Sequence, residues 1–306
     1  MSTVDERAIR AASGQRGLLT RSQLAEAGVS PSTIARRLSK GRWTEKIPGV
    51  IDLGTHEHTW RRHLQQLLLA AGPESWVSHL SAAHLHAFLD IEEPPTHDVV
   101  VRRGRHPRVG TSTLHTTTAL DEDETTVVGG LRCTTKARTL LDVAPQFGLE
   151  SLERLAADLA RKDRQAFRQL GTVLARSAGS RGRRRLLTAL SRLPDDVAKL
   201  GSPLEVIGVP VLMRNGAPQP KLQYRVRDAG GSVIKRVDAA WPRLWTIVEF
   251  DGGAWHDTTA ARAHDEAARD RMRALGWTVE VLRFQDLDGP RPAQIAARLR
   301  ELHAAQ

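Results

Sequence analysis

The sequence is poor in cysteine and in aromatic residues: among its 306 residues there is one cysteine, Cys133, and aromatic residues make up 4%. A single cysteine excludes disulfides within the chain and cysteine-rich zinc sites, and it favours a reducing compartment. The sequence has no run of about eighteen apolar residues, and its first residues lack the apolar core of a signal peptide. We therefore expect a cytoplasmic protein that has no membrane-spanning segment and is not exported.

Acidic residues are outnumbered by basic ones, with 35 Asp and Glu against 45 Lys and Arg, a net charge of +10 and a pI near 10.6. Most of the basic residues are arginines, whose planar guanidinium suits phosphate. The excess favours a nucleic-acid partner, although a GC-rich genome also enriches arginine. The length predicts several domains, and 40% hydrophobic residues are typical of a chain that folds.

The N-terminal stretch, residues 1–56, has the pattern of a winged helix. Helical spacing at 5–12 and 20–27 precedes a third helix that begins with Ser30 as N-cap and Pro31, and two short strands flank a turn at Pro48 and Gly49. The third helix would enter the major groove of duplex DNA and the hairpin would lie along phosphates. The residues predicted to contact DNA are Thr33, Arg36, Arg37, Lys40 and Arg42. A helical module with a solvated basic face is the alternative.

Three segments resemble the AbiEi family of bacterial antitoxins. They are LLTRSQLAEAGVSPSTIARRLSKGRW, the stretch from Pro48 to Leu53, and GGLRCTTKARTLLDVA at residues 129–144. The resemblance covers about half of the chain and implies a DNA-binding regulator.

The middle stretch, residues 57–176, is predicted to be mostly helical. Helices are expected near 59–71, 80–88, 136–143, 150–161 and 163–176, with an extended piece from His97 to Arg102. Its histidines have no diagnostic ligand spacing, so we predict satisfied or exposed histidines and no metal site. Residues 177–193 follow as a basic linker and helix, whose AGSRGRRR tract is either solvated linker or a phosphate contact.

The C-terminal stretch, residues 194–306, contains a predicted hairpin with the sequence VIKRVDAAWPRLWTIVEFDG. A turn centred on Arg243 and Leu244 places Asp238 directly opposite Glu249. Like charges at that separation, roughly 4.5 to 5.5 Å between Cβ atoms, repel each other. A hard divalent cation such as Mg²⁺ or Mn²⁺ would offset the repulsion, and Asp251 shares the face of Glu249 by period-two alternation. We therefore predict a metal site formed by Asp238, Glu249 and Asp251.

Two alternatives stay open for these acids. Asp238 could be protonated or paired with Arg236, and Asp251 could simply begin the turn at Gly252.

The segments VDAAW, IVEFDG and Trp255-His256, with LGSPLEVI before them and GWTVEVLRF after them, resemble the PD-(D/E)XK nucleases, in the branch of the very-short-patch-repair endonucleases. The resemblance runs from about Leu200 to Leu302. It implies an α/β restriction-endonuclease-like domain with a four-stranded mixed sheet flanked by helices. It also implies phosphodiester hydrolysis with Asp238 and Glu249 as metal ligands.

The resemblance assigns further site residues and one departure. Asp251 stands where the superfamily name expects a lysine. His256 matches a histidine that takes part in the similar repair endonucleases and could act as general acid or base, or it could be a surface residue. Glu205 matches a glutamate that an early helix supplies to the site, or it could close a capping box with Ser202.

Helix 259–275 is predicted to carry Asp265, which matches an acidic position of the family. The arginine that usually follows cannot be assigned to Arg269 or Arg271. Asp265 and Arg269 could instead form an exposed ion pair one helical turn apart.

Together these patterns predict an α+β multidomain protein: an N-terminal winged helix-turn-helix, a mostly helical middle domain and a C-terminal nuclease-like domain. The first function hypothesis is a Mg²⁺-dependent DNA endonuclease that the winged helix brings to duplex DNA. The alternative is a non-enzymatic DNA-binding transcriptional regulator or antitoxin, which keeps the nuclease-like domain as an interaction platform.

Overall fold

The structure, a computed structural model, describes residues 3–104, 107, 110, 112–118, 120–193, 203–251 and 259–305, without the side chains of 203, 205, 206 and 259–262. The chain divides into two units, Met1–Thr139 and Leu140–Gln306. Both units contain helices and sheets, so the mixed α+β class is confirmed. The finer division into four segments stays a prediction.

The first unit begins with the arrangement expected of a winged helix. Three helices alternate with an antiparallel sheet of order β1-β3-β2. The elements are α1 Val4–Ala12, β1 Leu18–Thr20, α2 Arg21–Glu26, α3 Pro31–Ser39, β2 Thr44–Ile47 and β3 Val50–Asp52. Each helix begins at a hydroxyl cap that accepts a backbone N–H: Thr3 and Thr20 form capping boxes, and Ser30 caps α3. The helix spacing and the hairpin predicted from the sequence are thereby confirmed.

A second sheet, of five strands, follows in the same unit. The sequence pattern predicts only one of these strands, at His97 to Arg102. Its strands are ordered β6-β5-β4-β8-β7, with both parallel and antiparallel pairs. The elements are α4 Trp60–Ala71, β4 Ser75–Val77, α5 His79–Leu85, β5 Asp98–Arg102, β6 Thr113–Thr117, β7 Thr125–Val128, β8 Leu131–Thr134 and α6 Lys136–Val143. The predicted helices of this stretch are present, but the description as mostly helical misses the sheet around which they lie.

The second unit surrounds a four-stranded mixed sheet of order β12-β11-β10-β9, in which β11 and β12 are parallel and the other pairs antiparallel. Its elements are α7 Leu149–Lys162, α8 Arg164–Arg176, α9 Arg183–Leu190, α10 Pro203–Arg214, β9 Lys221–Arg227, β10 Val233–Trp241, β11 Thr246–Phe250, α11 Thr259–Ala274, β12 Thr278–Leu282 and α12 Arg291–Ala304. Met272 of α11 packs on one face with Val237 and Ile247. The number and directions of the strands match the expectation from the nuclease resemblance.

The basic tract at 178–185 is only partly solvated. Arg183 is 3% exposed, donates from Nε to the backbone oxygen of Leu174 at 2.8 Å and pairs with Asp288. Arg185 donates to the backbone oxygens of Pro145 and Phe147. The end of the tract therefore packs into the second unit, contrary to the expectation of a solvated linker. Within the described part of the chain, the helices are too short or too polar to cross a membrane.

Candidate functional site

The exposed face of α3 carries the basic residues suited to DNA. Arg36, Lys40 and Arg42 are exposed, and Ser32 lies one turn before Arg36 on the same face. Ile34 is buried against the core of the winged helix, which fixes the helix so that this face points outward. Thr33, also predicted to contact DNA, is half-buried, and its backbone N–H and hydroxyl both contact the Ser30 cap.

Arg37 is placed differently from its prediction. Its guanidinium donates to Asp5 Oδ2 on α1 at 2.7 Å, and only 16% of its side chain is exposed. The pair connects α3 to α1, so Arg37 contributes to the helix packing, and its contact with DNA stays a prediction. Two consecutive residues of a helix point about 100° apart, and only one of the two arginines can therefore follow the outer face.

The wing is attached to the start of α2. Glu45 of β2 pairs with Arg21 and accepts the backbone N–H of Gly49 at 2.7 Å. Burial would raise the pKa of Glu45, but the hydrogen bond from Arg21, the largest effect, holds it below its ordinary range. Lys46 on the same strand is exposed, so the hairpin offers a further cation to a phosphate.

In the second unit, the register predicted for the β10–β11 hairpin is confirmed by three pairs: Ala239 with Val248, Ala240 with Ile247, and Trp241 with Thr246. Among the described residues this ladder ends at Ala239, so the next pair, Asp238 with Glu249, is not part of it. Asp238 Oδ2 instead accepts the backbone N–H of Phe250 at 2.9 Å. The carboxylate thus occupies the place of a ladder acceptor at the point where the two strands separate.

Period-two alternation also fails at Asp238. Val237 and Ala240 both pack in the cluster around Met272, although an odd number of positions separates them. The pairing with β9 skips the same place, passing from Val237 opposite Tyr224 to Ala239 opposite Leu222. Val237 therefore packs on the same face of the sheet as Ala240.

Glu249 lies at the centre of a cluster of ion pairs. Its carboxylate is 5% exposed and contacts Lys235 Nζ at 2.8 Å through one oxygen and Arg269 Nε at 2.7 Å through the other. Lys235 also contacts Asp265 at 2.9 Å, and Arg269 contacts Glu266 at 3.0 Å. We call these five residues the Glu249 cluster. It connects β10 and β11 to α11.

Charges in this cluster stabilise one another. Burial alone would lower the pKa of Lys235, but hydrogen bonds to Glu249 and Asp265 outweigh burial and raise it above 10.5. A raised folded pKa adds stability that is fully present below the unfolded value and is lost only as pH rises through the folded value. The Lys235 contribution is therefore constant through neutral pH.

The carboxylate oxygens predicted to bind Mg²⁺ have other partners among the described residues. Such an ion requires carboxylate oxygens that can turn toward it, whereas both oxygens of Glu249 already meet cations and Asp238 accepts a backbone N–H. The described part of the chain contains no group of three or more His, Cys, Asp or Glu side chains arranged to hold a metal. The cations of Lys235 and Arg269 offset the charge of Glu249, and a Mg²⁺ ion at this end of the hairpin stays a prediction.

The remaining predicted site residues are dispersed or undescribed. Asp251 pairs with Arg283 Nε at 3.3 Å rather than joining Glu249. His256 lies outside the described residues, and Glu205 lies on α10 with its side chain undescribed. The catalytic roles of His256 and Glu205 stay predictions.

The alternative of an Asp265–Arg269 pair is wrong, because Asp265 contacts Lys235 and Arg269 contacts Glu249. Arg271 lies near Asp228 instead, at 3.8 Å. Lys235 is a member of the cluster that was not predicted from the sequence. Its signal was a lysine three residues before Asp238 in a strand otherwise suited to burial.

Two histidines of the first unit contact nearby polar groups. His86 Nε2 lies 2.7 Å from the backbone oxygen of Thr134, and His115 Nε2 lies 2.9 Å from Asp98 Oδ1. Burial lowers the pKa of His97 to about 4, with a further contribution from His63, so His97 is neutral at physiological pH.

Comparison with known proteins finds two similar sequences and one similar structure. Two uncharacterized proteins of Mycobacterium tuberculosis, MT2308 and Rv2248, are each 31% identical over 173 residues, covering 56% of this chain. The chain spans 62% of the length of these curated relatives. A crystal structure of the Rv2827c protein of Mycobacterium tuberculosis aligns with a TM-score of 0.44 and 14% identity, covering 74% of this chain and 89% of that chain.

A family model described as a transcriptional regulator, AbiEi antitoxin, matches residues 6–50. The match confirms the first resemblance over the segment that begins within α1 and ends at the start of β3. The nuclease resemblance of the C-terminal stretch stays a prediction. The chain thus carries, at residues 6–50, a segment of the AbiEi antitoxin type of transcriptional regulator.

Proposed function

We propose that the protein is a DNA-binding transcriptional regulator that contacts duplex DNA through α3 and the wing. The observation that carries the proposal is the exposed face of α3, where Arg36 and Lys40 lie one turn apart with Ser32 before them. Exposed cations on a helix that projects from a winged helix suit phosphates at the rim of a groove and base edges within it. Arg42 and Lys46, which follow α3 in the sequence, are also exposed cations.

Charge and packing support this reading over a generic basic surface. Arg37 is half-buried and makes an internal ion pair with Asp5, so the exposed cations Arg36 and Lys40 are those that a groove could reach. The net charge of +10 adds a favourable long-range attraction to DNA. The AbiEi match covers these residues and adds the class of regulator.

Removing the two central cations should weaken DNA binding. In an Arg36→Ala/Lys40→Ala variant we expect affinity for duplex DNA to fall by roughly tenfold to a hundredfold, and the dependence on salt to decrease by about two phosphate contacts. Fluorescence anisotropy with a labelled duplex, measured at several salt concentrations, gives both quantities.

The matched control is Arg10→Ala, an exposed arginine on α1 of the same unit. We expect this variant to bind within about twofold of the wild type, because it removes charge without touching α3. Equal losses in the control and in the double variant would show that only net charge matters, and the proposed interface would then be abandoned.

The second candidate, a metal-dependent DNA endonuclease, is supported by the hairpin register that brings Asp238 and Glu249 to the end of the same ladder. The carboxylate oxygens of Glu249 contact Lys235 and Arg269, and Asp238 accepts a backbone N–H. We therefore assign no catalytic step to these two residues.

Incubation of the full chain with plasmid DNA separates the two functions. We expect the regulator to bind DNA equally well with Mg²⁺, with Mn²⁺ and with EDTA, and to leave the plasmid intact. Cleavage that needs the metal, is lost on Asp238→Ala and survives Arg10→Ala would establish the nuclease instead.

A further inference from the structure

A groove with aromatic and basic side chains follows the edge strand β9 of the second unit. It encloses a cavity of about 750 Å³. We define the β9 groove by its three rings and three cations: Tyr224, Trp245, Trp277, Lys221, Arg225 and Arg227. Tyr224 is the only tyrosine of the chain. The six residues of the groove include none of the Glu249 cluster.

The rings form a continuous aromatic wall. Trp245 and Trp277 have ring centroids 5.1 Å apart, and Tyr224 lies 6.0 Å from Trp277. Trp277 is 8% exposed and packs into the core of the unit, so it supports the wall from behind. Trp245 is 54% exposed, which leaves most of its indole surface open to a ligand.

Trp245 is also held in an unusual backbone conformation, with φ 49° and ψ 38° after the short turn at Pro242–Leu244. Bulky residues rarely adopt this left-handed region, and such conformations concentrate at functional sites. Glycine would adopt this backbone conformation without strain. A large exposed indole at this position therefore indicates a use for the ring outside the core.

The groove is positively charged. Lys221, Arg225 and Arg227 are exposed along β9, while the acidic Asp228 at its end lies 3.8 Å from Arg271. Arg227 donates to the backbone oxygen of Gly231 at 2.6 Å, which fixes its guanidinium at the start of the β9–β10 turn. A string of cations beside exposed rings attracts a ligand that carries both negative charge and flat apolar faces.

We propose that the β9 groove binds single-stranded nucleic acid. An unpaired base stacks on the open face of Trp245, and the neighbouring phosphates contact Lys221 and Arg225. Stacking on aromatic side chains combined with a basic track is the general solution for binding single strands, because every base offers a flat face and every linkage a charge. Duplex DNA keeps its bases stacked within the helix and cannot use the ring in this way.

An extended peptide that adds a strand to β9 is the competing occupant, since β9 is the edge of the described sheet. Two features oppose it. Gln223 has a φ of 51°, which interrupts the regular extended backbone in the middle of the strand. Exposed lysine and arginine side chains on an edge strand discourage the addition of another strand.

The test measures binding of the full chain to labelled single-stranded oligonucleotides of about 12 nucleotides, oligo-dT and oligo-U, by fluorescence anisotropy. For Trp245→Ala we expect roughly tenfold weaker binding, and for Trp245→Phe a smaller loss, because a ring remains for stacking. For Lys221→Gln/Arg225→Gln we expect a weaker dependence on salt, by about 0.7 for each lost phosphate contact. Comparison of the two oligonucleotides distinguishes DNA from RNA as the source of the strand.

Two control variants separate this groove from the α3 interface. Arg184→Gln removes an exposed arginine from α9 of the same unit and should leave single-strand binding within about twofold of the wild type. Arg36→Ala/Lys40→Ala should lose duplex binding and keep single-strand binding, whereas the groove variants should do the reverse. Circular dichroism checks that each variant is folded, and the Lys221→Gln/Arg225→Gln variant preserves the test should Trp245→Ala unfold.

Single-strand binding that is unchanged in both groove variants, or that disappears with the α3 variant, would overturn the proposal. Absence of single-strand binding together with saturable binding of an unstructured peptide, lost on Trp245→Ala, would assign the groove to a peptide strand instead. A negative result for duplex binding does not change the interpretation of these outcomes, because the single-strand experiment uses a different ligand and tests different residues.

Discussion

Replacing Arg62 by methionine should destabilise the first unit by about 3 to 5 kcal/mol, the range expected when one partner of a buried ion pair is removed. The guanidinium of Arg62 on α4 and the carboxylate of Asp52 on β3 are each 3% exposed, and they form two hydrogen bonds at 2.5 and 2.8 Å. Without the arginine, a charged carboxylate stays buried and keeps the hydrogen bond from the backbone N–H of Gly54. Urea denaturation followed by circular dichroism measures the loss.

Arg102→Met is the matched control, since Arg102 and Glu74 form an exposed pair with 52% and 42% of their side chains accessible. We expect it to cost less than about 1 kcal/mol, as exposed pairs do. Adding Asp52→Asn to Arg62→Met should recover part of the loss, because the buried charge is then removed. Equal effects of Arg62→Met and Arg102→Met would show that the buried pair contributes nothing beyond a surface pair.

The pH dependence of stability gives a second measure of the same pair. Burial would raise the pKa of Asp52, but the hydrogen bonds from Arg62 and Gly54 outweigh burial and hold it below its ordinary 3.8. A depressed folded pKa contributes stability that is present above the unfolded value and is lost as pH falls through the folded value. Wild-type protein should therefore lose stability below about pH 4 more steeply than the Arg62→Met/Asp52→Asn variant.

The consequence for DNA binding follows from the position of the pair. Asp52 ends β3, the strand that completes the wing, and Arg62 also donates to the backbone oxygen of Arg16 just before β1. The same guanidinium therefore holds two strands of the winged helix against α4. Loss of the pair should reduce duplex binding only in proportion to the unfolded fraction, unlike the direct loss predicted for the α3 variant.

Local patterns predicted much of the fold. Ser30 followed by Pro31 indicated the start of α3, and the turn at Pro48 and Gly49 placed the wing correctly. The register of the β10–β11 hairpin also followed from its turn. In each case neighbouring residues determine the geometry, through a cap, a fixed φ or a short connection.

Long-range pairs could not be predicted in the same way. Arg37 forms an ion pair with Asp5, which lies on a separate helix and far from it in sequence. The sheet of the first unit escaped because strands such as Ser75–Val77 have three residues, too few for a periodic pattern, and pair with partners far along the chain.

The acidic site illustrates the same difference at the level of chemistry. The turn of the hairpin predicts that Asp238 and Glu249 lie close together, but it does not show which cation offsets their charge. In the structure, Lys235 and Arg269 contact Glu249, and Arg269 lies 20 positions later, on a helix that folds back onto the sheet. Arg269 could not be identified from spacing within the hairpin, whereas Lys235 lies on β10 three residues before Asp238.

Glu249→Gln should therefore destabilise the second unit by about 3 kcal/mol or more, because it leaves two half-buried cations without their shared anion. The side chains of Lys235 and Arg269 are 25% and 14% exposed, while that of Glu249 is 6% exposed. Asp265→Asn is the control: this carboxylate contacts the same lysine but is 45% exposed, so we expect a cost below about 1 kcal/mol. Denaturant unfolding of the full chain, followed by tryptophan fluorescence, measures both.

Repeating the Glu249 measurement with Mg²⁺ distinguishes a structural ion-pair cluster from a metal site. An ion that binds the folded state at a hundred times its Kd would stabilise it by about 2.7 kcal/mol. We expect wild-type stability to change by less than about 0.5 kcal/mol with Mg²⁺, because the ion would have to displace Lys235 and Arg269 from the carboxylate. Stabilisation by Mg²⁺ in the wild type that Glu249→Gln abolishes would contradict this expectation. It would also restore the endonuclease as the leading function of the second unit, since the two cations would then be replaceable partners of a metal ligand.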